Sequence, residues 1–300
     1  MDAPRVETGI SIILPVRNEE RVIERNLKFI LDYCVEREWD FELLLSEDNS
    51  TDNTVSIVKR LSALDRRINL ISSETPLGKG GALMSAVLNF PLKNFVAYMD
   101  MDLSAHPSQL QKLLANIDGY DLVVGSRMLN RSSISVERPF YREALSNLYS
   151  RLFRLLFRIP VKDPQCGLKL FRKDKIYLLF DAITIPDFAF DTDLIVAAFS
   201  QNLRIKEVPI DWQHVVVESK VRVVREIRSM LLDLISIWAK YHLIWAQGKN
   251  AYPQKKGSMF GKWLFAILSH SNDIKKRNLE QLQTMTRAKI KSKELMNSNK

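Results

Sequence analysis

The run Phe95-Val96-Ala97-Tyr98-Met99-Asp100-Met101-Asp102 decides how the rest of the chain is read. An uncharged apolar run suits a strand buried on both faces, and two carboxylates then follow it at i and i+2. Ligands of an open α/β sheet gather in the crevice outside the carboxyl ends of its strands, so this strand would point acid into that crevice. The same rhythm recurs on either side, at Ile10–Leu14, Phe41–Ser46, Ile68–Ser72 and Leu122–Val124. Between these runs Glu19–Val35, Thr54–Leu64, Gly80–Leu88 and Pro107–Ile117 carry apolar residues at helical spacing, the last with Pro in its first turn. Repeated strand-helix units predict an α/β fold with a parallel, helix-covered sheet.

The periodicity changes after Arg127. A long Arg-rich helix is expected over Arg138–Arg158, strands over Cys166–Phe171 and Arg204–Ile210, and helices over Phe190–Ser200 and Val223–Trp245. Tyr149, Phe153 and Phe157 recur at i, i+4 and i+8, which assigns them to the core. A boundary near Gly248 separates a domain over 9–248 from a tail over 249–300. That tail holds 12 Lys and Arg against 3 Asp and Glu, so it carries the whole net charge of +9 and the body is neutral. A basic tail seeks an anionic surface, phospholipid or nucleic acid. It lacks the aromatic-basic interleaving of single-strand binders, which disfavours nucleic acid.

A hydrophobic content of 46% excludes a disordered chain. Cys34 and Cys166 have no second thiol or His at ligand spacing, so neither zinc nor a disulfide framework is expected. The start Met1-Asp2-Ala3-Pro4-Arg5 lacks the charged, apolar and cleavage regions of a signal peptide. No apolar run reaches the roughly 18 residues of a spanning helix. The nearest, Ser229–Ala246, is interrupted by Asp233, Lys240 and His242 and reads as an amphipathic helix on a core or a bilayer. A cytoplasmic protein held peripherally on a membrane is the expectation.

Two more acidic loops end the first and second strands: Pro15-Val16-Arg17-Asn18-Glu19-Glu20 and Glu47-Asp48-Asn49-Ser50-Thr51-Asp52. Parallel strands bring such loops together, so Glu19, Asp48 and Asp102 should surround one crevice suited to a divalent cation and phosphate. The same loops are also apt helix caps, Asn18 for the first helix and Ser50 or Asp52 for the second. Gly78-Lys79-Gly80-Gly81 opens the third helix, where backbone N–H groups and Lys79 could receive a pyrophosphate. The spacings of a Walker loop and of a dinucleotide fingerprint are both absent.

In order, I-L-P-V-R-N-E-E, S-E-D-N-S-T-D-N-T, L-G-K-G-G-A, M-D-M-D, V-G-S-R and D-P-Q-C-G-L-K-L-F-R resemble glycosyltransferase family 2. Phe188–Leu194 and Val208–Trp212 extend the likeness toward its dolichyl-phosphate glucose synthases, over residues 9–246. The resemblance implies a GT-A, Rossmann-like mixed sheet with C-terminal amphipathic helices. It also implies an inverting, metal-dependent hexosyl transfer from a nucleotide-sugar, UDP-glucose with Mg²⁺ or Mn²⁺, to a dolichyl or polyprenyl phosphate.

By the same resemblance Pro15, Arg17, Glu19, Asp48 and Ser50 surround the nucleoside, and Asp100, Met101 and Asp102 meet the nucleotide-sugar and, through the two carboxylates, the metal. Arg127 lies near the diphosphate, Asp163 faces the acceptor, and Lys169 and Arg172 assist its phosphate; apart from the resemblance, the helix-entry Lys79 would add charge at the diphosphate and Lys220, just beyond Trp212, at the acceptor phosphate. Arg17 and Glu47-Asp48-Asn49 depart from the commoner residues of their loops, and Ser104 and His106 stand where mannose-type enzymes place a Gln. Residues 127–175 hold twelve Lys and Arg against four acids, a positive rim for an acceptor phosphate or a solvated helix face. Three alternatives stay open: GDP-mannose as donor, a glycan hydroxyl as acceptor, and a nucleotide-sugar binder without turnover.

Overall fold

β1 (Ile10–Val16), β2 (Phe41–Asp48), β3 (Ile68–Ser73), β4 (Phe95–Tyr98), β5 (Leu122–Ser126), β6 (Lys169–Arg172) and β7 (Ile205–Pro209) form one sheet in the order β3-β2-β1-β4-β6-β5-β7. This is a computed structural model, and it describes residues 9–129, 140–180, 182–183, 185–186, 189–213, 223–246, 277 and 280–285. β1 pairs in parallel with β2 and β4, β2 with β3, and β5 with β7. β6 runs antiparallel to both of its neighbours. The sheet is therefore mixed, as the family resemblance implied, and the parallel pairing read from the strand-helix repeats holds for every pair that does not involve β6. A run of apolar residues carries no direction, and the chain enters β6 at Lys169 beside Tyr98, at the carboxyl end of β4.

The helices are α1 (Ile23–Glu36), α2 (Thr54–Leu64), α3 (Gly78–Asn89), α4 (Ser108–Leu114), α5 (Phe140–Phe157), α6 (Lys173–Phe180), α7 (Phe190–Ser200) and α8 (Val223–Ala246). Side-chain alternation sorts the strands between two cores. Ile10, Ile12, Leu14 and Val16 of β1 join residues of α1 and α4, whereas Ile13 joins residues of α3, α5, α7 and α8. Each fully buried Leu or Ile contributes about 1.5–3 kcal/mol, so these two layers hold the sheet and leave its carboxyl edge free for chemistry.

Tyr149, Phe153 and Phe157 lie in the core as expected. The sequence reading missed α6, which continues directly from β6 and buries Ile176 and Leu179. Leu234, Ile237 and Tyr241 of α8 are buried in the core that α5 and α7 also line, so one face of this helix lies on the protein core, while Ile235 is exposed. Among the described residues no helix is long and apolar enough to cross a membrane. The boundary at Gly248 falls outside the described residues. Within the tail, Leu282 packs against the first core and the Gln283 amide donates to the Ile183 carbonyl.

Candidate active site

Three loops meet at the carboxyl edge of β1, β2 and β4, and hydrogen bonds tie the first two into one unit. The Glu19 N–H donates to Thr54 Oγ1 (2.8 Å), the Glu20 N–H to Asp52 Oδ2 (3.1 Å), the Asn18 N–H to Ser50 Oγ (3.0 Å) and the Thr51 N–H to Asn18 Oδ1 (2.8 Å). The capping expectation is thereby revised. Asn18 bridges to the second loop, and α1 starts at Ile23 without a side-chain cap. Asp52 Oδ1 receives the Thr54 N–H (3.0 Å) at the start of α2. Ser50 and the exposed Arg17 remain at the surface of this unit, and Pro15 lies in β1 opposite Ser46.

Asp48 is buried, and it is engaged otherwise than the resemblance implied. Its carboxylate accepts the N–H groups of Leu77 and Gly78, the latter at 3.1 Å, and lies 3.4 Å from Arg17 Nη1. The Gly80 N–H donates to the Pro186 carbonyl at 2.9 Å. The entry of α3 thus spends on the protein the N–H groups that a pyrophosphate cradle would need. Gly78 is required for its own reason, a φ of 73°.

Asp100 leaves β4 on the side of α3 and α7. Lys79 Nζ lies 3.0 Å from Asp100 Oδ1 and 3.1 Å from Asp191 Oδ2, and the buried Lys169 ammonium completes the chain by donating to Asp191 Oδ1. Lys169 also donates to the Cys166 carbonyl (2.5 Å) and sits 5.7 Å from the Tyr98 ring centre. Burial disfavours the Asp191 charge, but Lys169 and Lys79 outweigh it and hold this carboxyl below its usual range. Burial also dominates at Asp100, and with help from Asp191 and Asp102 it raises that carboxyl despite Lys79. Gly167 makes room for it: a Cβ there would meet Asp100 Oδ2 at 1.8 Å.

Asp102 faces differently. Leu103 turns with φ 55°, and Ser104 gives Asp102 both its N–H (2.9 Å) and its hydroxyl (2.8 Å). The strand bridge Ala105–Trp212 and the Gln213 N–H on the Ser104 carbonyl (2.8 Å) pin this loop. His106 turns away to Ser108 Oγ (2.8 Å) and the rings of Phe29 and Tyr33, so it is no third metal contact here. Met101 is a core residue rather than a ligand contact: its side chain is buried and its carbonyl accepts from Asn26 (2.8 Å).

Glu19 registers the charge in this crevice. Burial, then the negative charges of Asp102, Asp52 and Asp100, push its carboxyl from 4.5 to about 7. The donor set fits a hard divalent cation that shares its coordination with phosphate. Asp102 leads, with Asp100 beside it, and no group of three His, Cys, Asp or Glu among the described residues could hold a metal by itself. Mg²⁺ and its like commonly take about one or two carboxylates and complete their shell with phosphate and water.

Arg127 and Asp163 close the far side as a bidentate pair, with Nε to Oδ2 and Nη2 to Oδ1 both 2.7 Å and the Arg127 N–H adding a third bond at 2.9 Å. Burial opposes the Asp163 charge, yet Arg127 and then Lys169 keep the carboxyl below its usual range. Glu207 receives the N–H groups of Lys162 (2.9 Å) and Asp163 (2.8 Å), and the Arg127 guanidinium lies 5.8 Å from the Trp212 ring centre. Asp163 is therefore locked rather than free to face an acceptor.

Two acceptor assignments are corrected. Lys169 has no exposed surface and is spent on Asp191. Arg172 pairs with Phe95 at the start of β4, on the opposite edge of the sheet, and donates to the Tyr120 carbonyl (3.0 Å). Lys220 lies outside the described residues. Sequence reasoning gave no role to Asp191 or Glu207. A signal existed for the first, because Asp191 and Asp193 begin an otherwise apolar helix and buried carboxylates demand cations.

Residues 11–180 match the model of glycosyl transferase family 2, and the chain belongs to that family. It is 31% identical over 233 residues to glycosyltransferase AglD of Haloferax volcanii, covering 76% of this chain and 37% of that protein. The chain thus spans little more than a third of that relative. Dolichyl-phosphate beta-glucosyltransferase ALG5D of Trichomonas vaginalis is 29% identical over 81% of this chain and 77% of its own. Dolichyl-phosphate beta-glucosyltransferase of Saccharomyces cerevisiae is 26% identical over 79% and 76%. Glucosyl-3-phosphoglycerate synthase of Mycobacterium tuberculosis, solved with Mn²⁺, UDP and glucosyl-3-phosphoglycerate, shares the fold with a TM-score of 0.59 at 21% identity, over 78% of this chain and 81% of that one. The mixed α/β sheet is thereby that of the GT-A glycosyltransferases.

Proposed function

We propose that this glycosyltransferase moves glucose from UDP-glucose, with inversion and with Mg²⁺ or Mn²⁺, onto the phosphate of a dolichyl or other polyprenyl lipid at the cytoplasmic face of a membrane. The observation that carries the reading is the acidic crevice of Asp102 and Glu19 beside the Lys79-paired Asp100, together with a carboxylate, Asp163, that is already saturated by Arg127. The first feature calls for a cation and a diphosphate. The second takes Asp163 out of service as a base for a sugar hydroxyl, whereas an acceptor phosphate is anionic at neutral pH and needs orientation instead. The names of the Trichomonas and Saccharomyces relatives support glucose and dolichyl phosphate.

Asp102, oriented by Ser104, would hold the metal together with Asp100. When bound, the ion acts as a Lewis acid toward the leaving diphosphate. Arg127 keeps its Nη1 group without a partner among the described residues, so it can donate to a diphosphate oxygen while Asp163 fixes its plane. Lys79, tethered by Asp191, adds positive charge behind Asp100. A single in-line displacement from the face opposite the diphosphate gives inversion.

The test is nucleotide release and lipid product formation with UDP-glucose or GDP-mannose, with and without dolichyl phosphate, on the intact chain. Metal-dependent UDP release that requires the lipid supports the proposal. Release with GDP-mannose alone moves the donor to mannose, and turnover on a glycan with none on any lipid phosphate overturns the acceptor.

A further inference from the structure

A pocket of about 220 Å³ opens beside the Arg127–Asp163 pair, lined by Met128, Asn147, Ser150, Arg151, Arg154 and Lys162. Met128 and Lys162 adjoin Arg127 and Asp163 in sequence, but the Arg127 side chain turns toward Asp163 and Trp212 and does not line it. Its floor is the buried Ser150, whose hydroxyl donates to the Lys162 carbonyl. Arg151, Arg154 and Lys162 are exposed, and none has a carboxylate partner among the described residues. Glu207, the acid bound at this turn, has its carboxylate on the N–H groups of Lys162 and Asp163. Three cations thus surround a concave site, none of them paired with a carboxylate among the described residues, a composition that favours phosphate.

The surface around the pocket is apolar as well as basic. Leu148 and Leu155, one helical turn to either side of Arg151 on α5, are 48% and 73% exposed, and Leu129 beside Met128 is 37% exposed. Leucines and arginines on one helix face are the composition of a segment that lies in a lipid headgroup layer, with leucines entering the acyl boundary and cations remaining at the phosphates. A basic pocket flanked by exposed leucines fits a phosphate borne on a lipid better than a free anion.

We infer that this pocket binds the phosphate of an anionic membrane phospholipid and sets α5 against the bilayer, so that the adjoining Arg127–Asp163 pair faces the membrane surface. The inference rests on the membrane placement proposed above but not on the identity of donor or acceptor. Binding to vesicles is therefore read without turnover, and failure of the acceptor reading leaves it standing.

The experiment is co-sedimentation of the intact chain with phosphatidylcholine vesicles, with and without phosphatidylglycerol. Arg151→Gln/Arg154→Gln/Lys162→Gln is compared with a charge-matched control, Lys28→Gln/Lys59→Gln/Arg66→Gln, on exposed positions of α1 and the α2–β3 side. At about a tenfold loss or less per cation, the pocket variant should partition roughly 100-fold more weakly onto the acidic vesicles. The control should stay within about twofold, and high salt should erase the difference. Leu148→Ser/Leu155→Ser should weaken acidic-vesicle binding without changing its salt dependence. Equal loss in pocket variant and control overturns the site, because the attraction would then follow net charge alone. Unchanged vesicle binding together with a raised KM for dolichyl phosphate in detergent also overturns it, and gives the pocket to the acceptor.

Discussion

The two carboxylates that end β4 live in opposite electrostatic worlds. Asp100 joins a chain of alternating charge, Asp100–Lys79–Asp191–Lys169, in which each inner group meets two opposite ones. Asp102, two residues on, meets, among the described residues, the N–H and hydroxyl of Ser104 and no cation, and adds to the negative crowd that raises Glu19. One arm is neutralised by the fold. The other is left for a cation to neutralise. A buried ionic chain specifies geometry but is costly if a member is lost, whereas an open acidic cluster weakens the free protein and gains its compensation on binding.

The largest effect should come from breaking the neutralised arm. Asp191→Ala leaves Lys169, which has no exposed surface, without its carboxylate, and should cost about 3–5 kcal/mol of stability in urea denaturation. If the variant unfolds like the parent, the chain of charges is not what holds Asp100. On the open arm the sign reverses. Asp102→Asn should lower turnover by about 100-fold or more through loss of metal-assisted charge stabilisation, while metal-free thermal stability is unchanged or higher.

The contrast also has a pH signature. Glu19 keeps its proton in the folded chain up to about 7 but loses it near 4.5 when unfolded. Below 4.5 the group is neutral in both states and contributes nothing; between those values the unfolded chain alone ionises, so stability falls as pH rises, and the deficit is complete above 7. Melting curves of metal-free Glu19→Gln should therefore match the parent at pH 4 and exceed it at pH 8, with Mn²⁺ plus UDP narrowing the gap. A variant that melts lower at pH 8 would mean that Glu19 gains more from its surroundings than the acids cost it. The smallest effect is expected for Ser104→Ala, which loosens Asp102 without removing it: about a tenfold weaker Mn²⁺ dependence of turnover, with stability nearly unchanged.

The same contrast explains what the sequence could and could not disclose. The seven strands described, and seven of the eight helices α1–α8, were legible from apolar periodicity, and so was the meeting of the Glu19, Asp48 and Asp102 loops, because parallel strands put the loops that follow them at one edge of the sheet. The direction of β6 came only with the family resemblance, since nothing in the local pattern of a four-residue Lys-Leu-Phe-Arg strand sets which way it pairs. Partners of buried charges were not legible either. Lys169 reads as a phosphate ligand beside Asp163 in sequence, yet Asp191, 22 residues on, claims it inside the core. Asp48 likewise reads as a ligand and serves as the anchor of α3. A charged residue shows its chemistry in a sequence, but which charge it meets is decided by packing.

The central claim is that the crevice holds a divalent ion only jointly with a diphosphate. Calorimetric titration of the intact chain with Mn²⁺, with UDP, and with each in the presence of the other tests it most directly. The account predicts weak binding of either alone and mutual tightening by the same factor in both orders, lost in Asp102→Asn. Tight Mn²⁺ binding without nucleotide, or UDP binding indifferent to the metal, would contradict it.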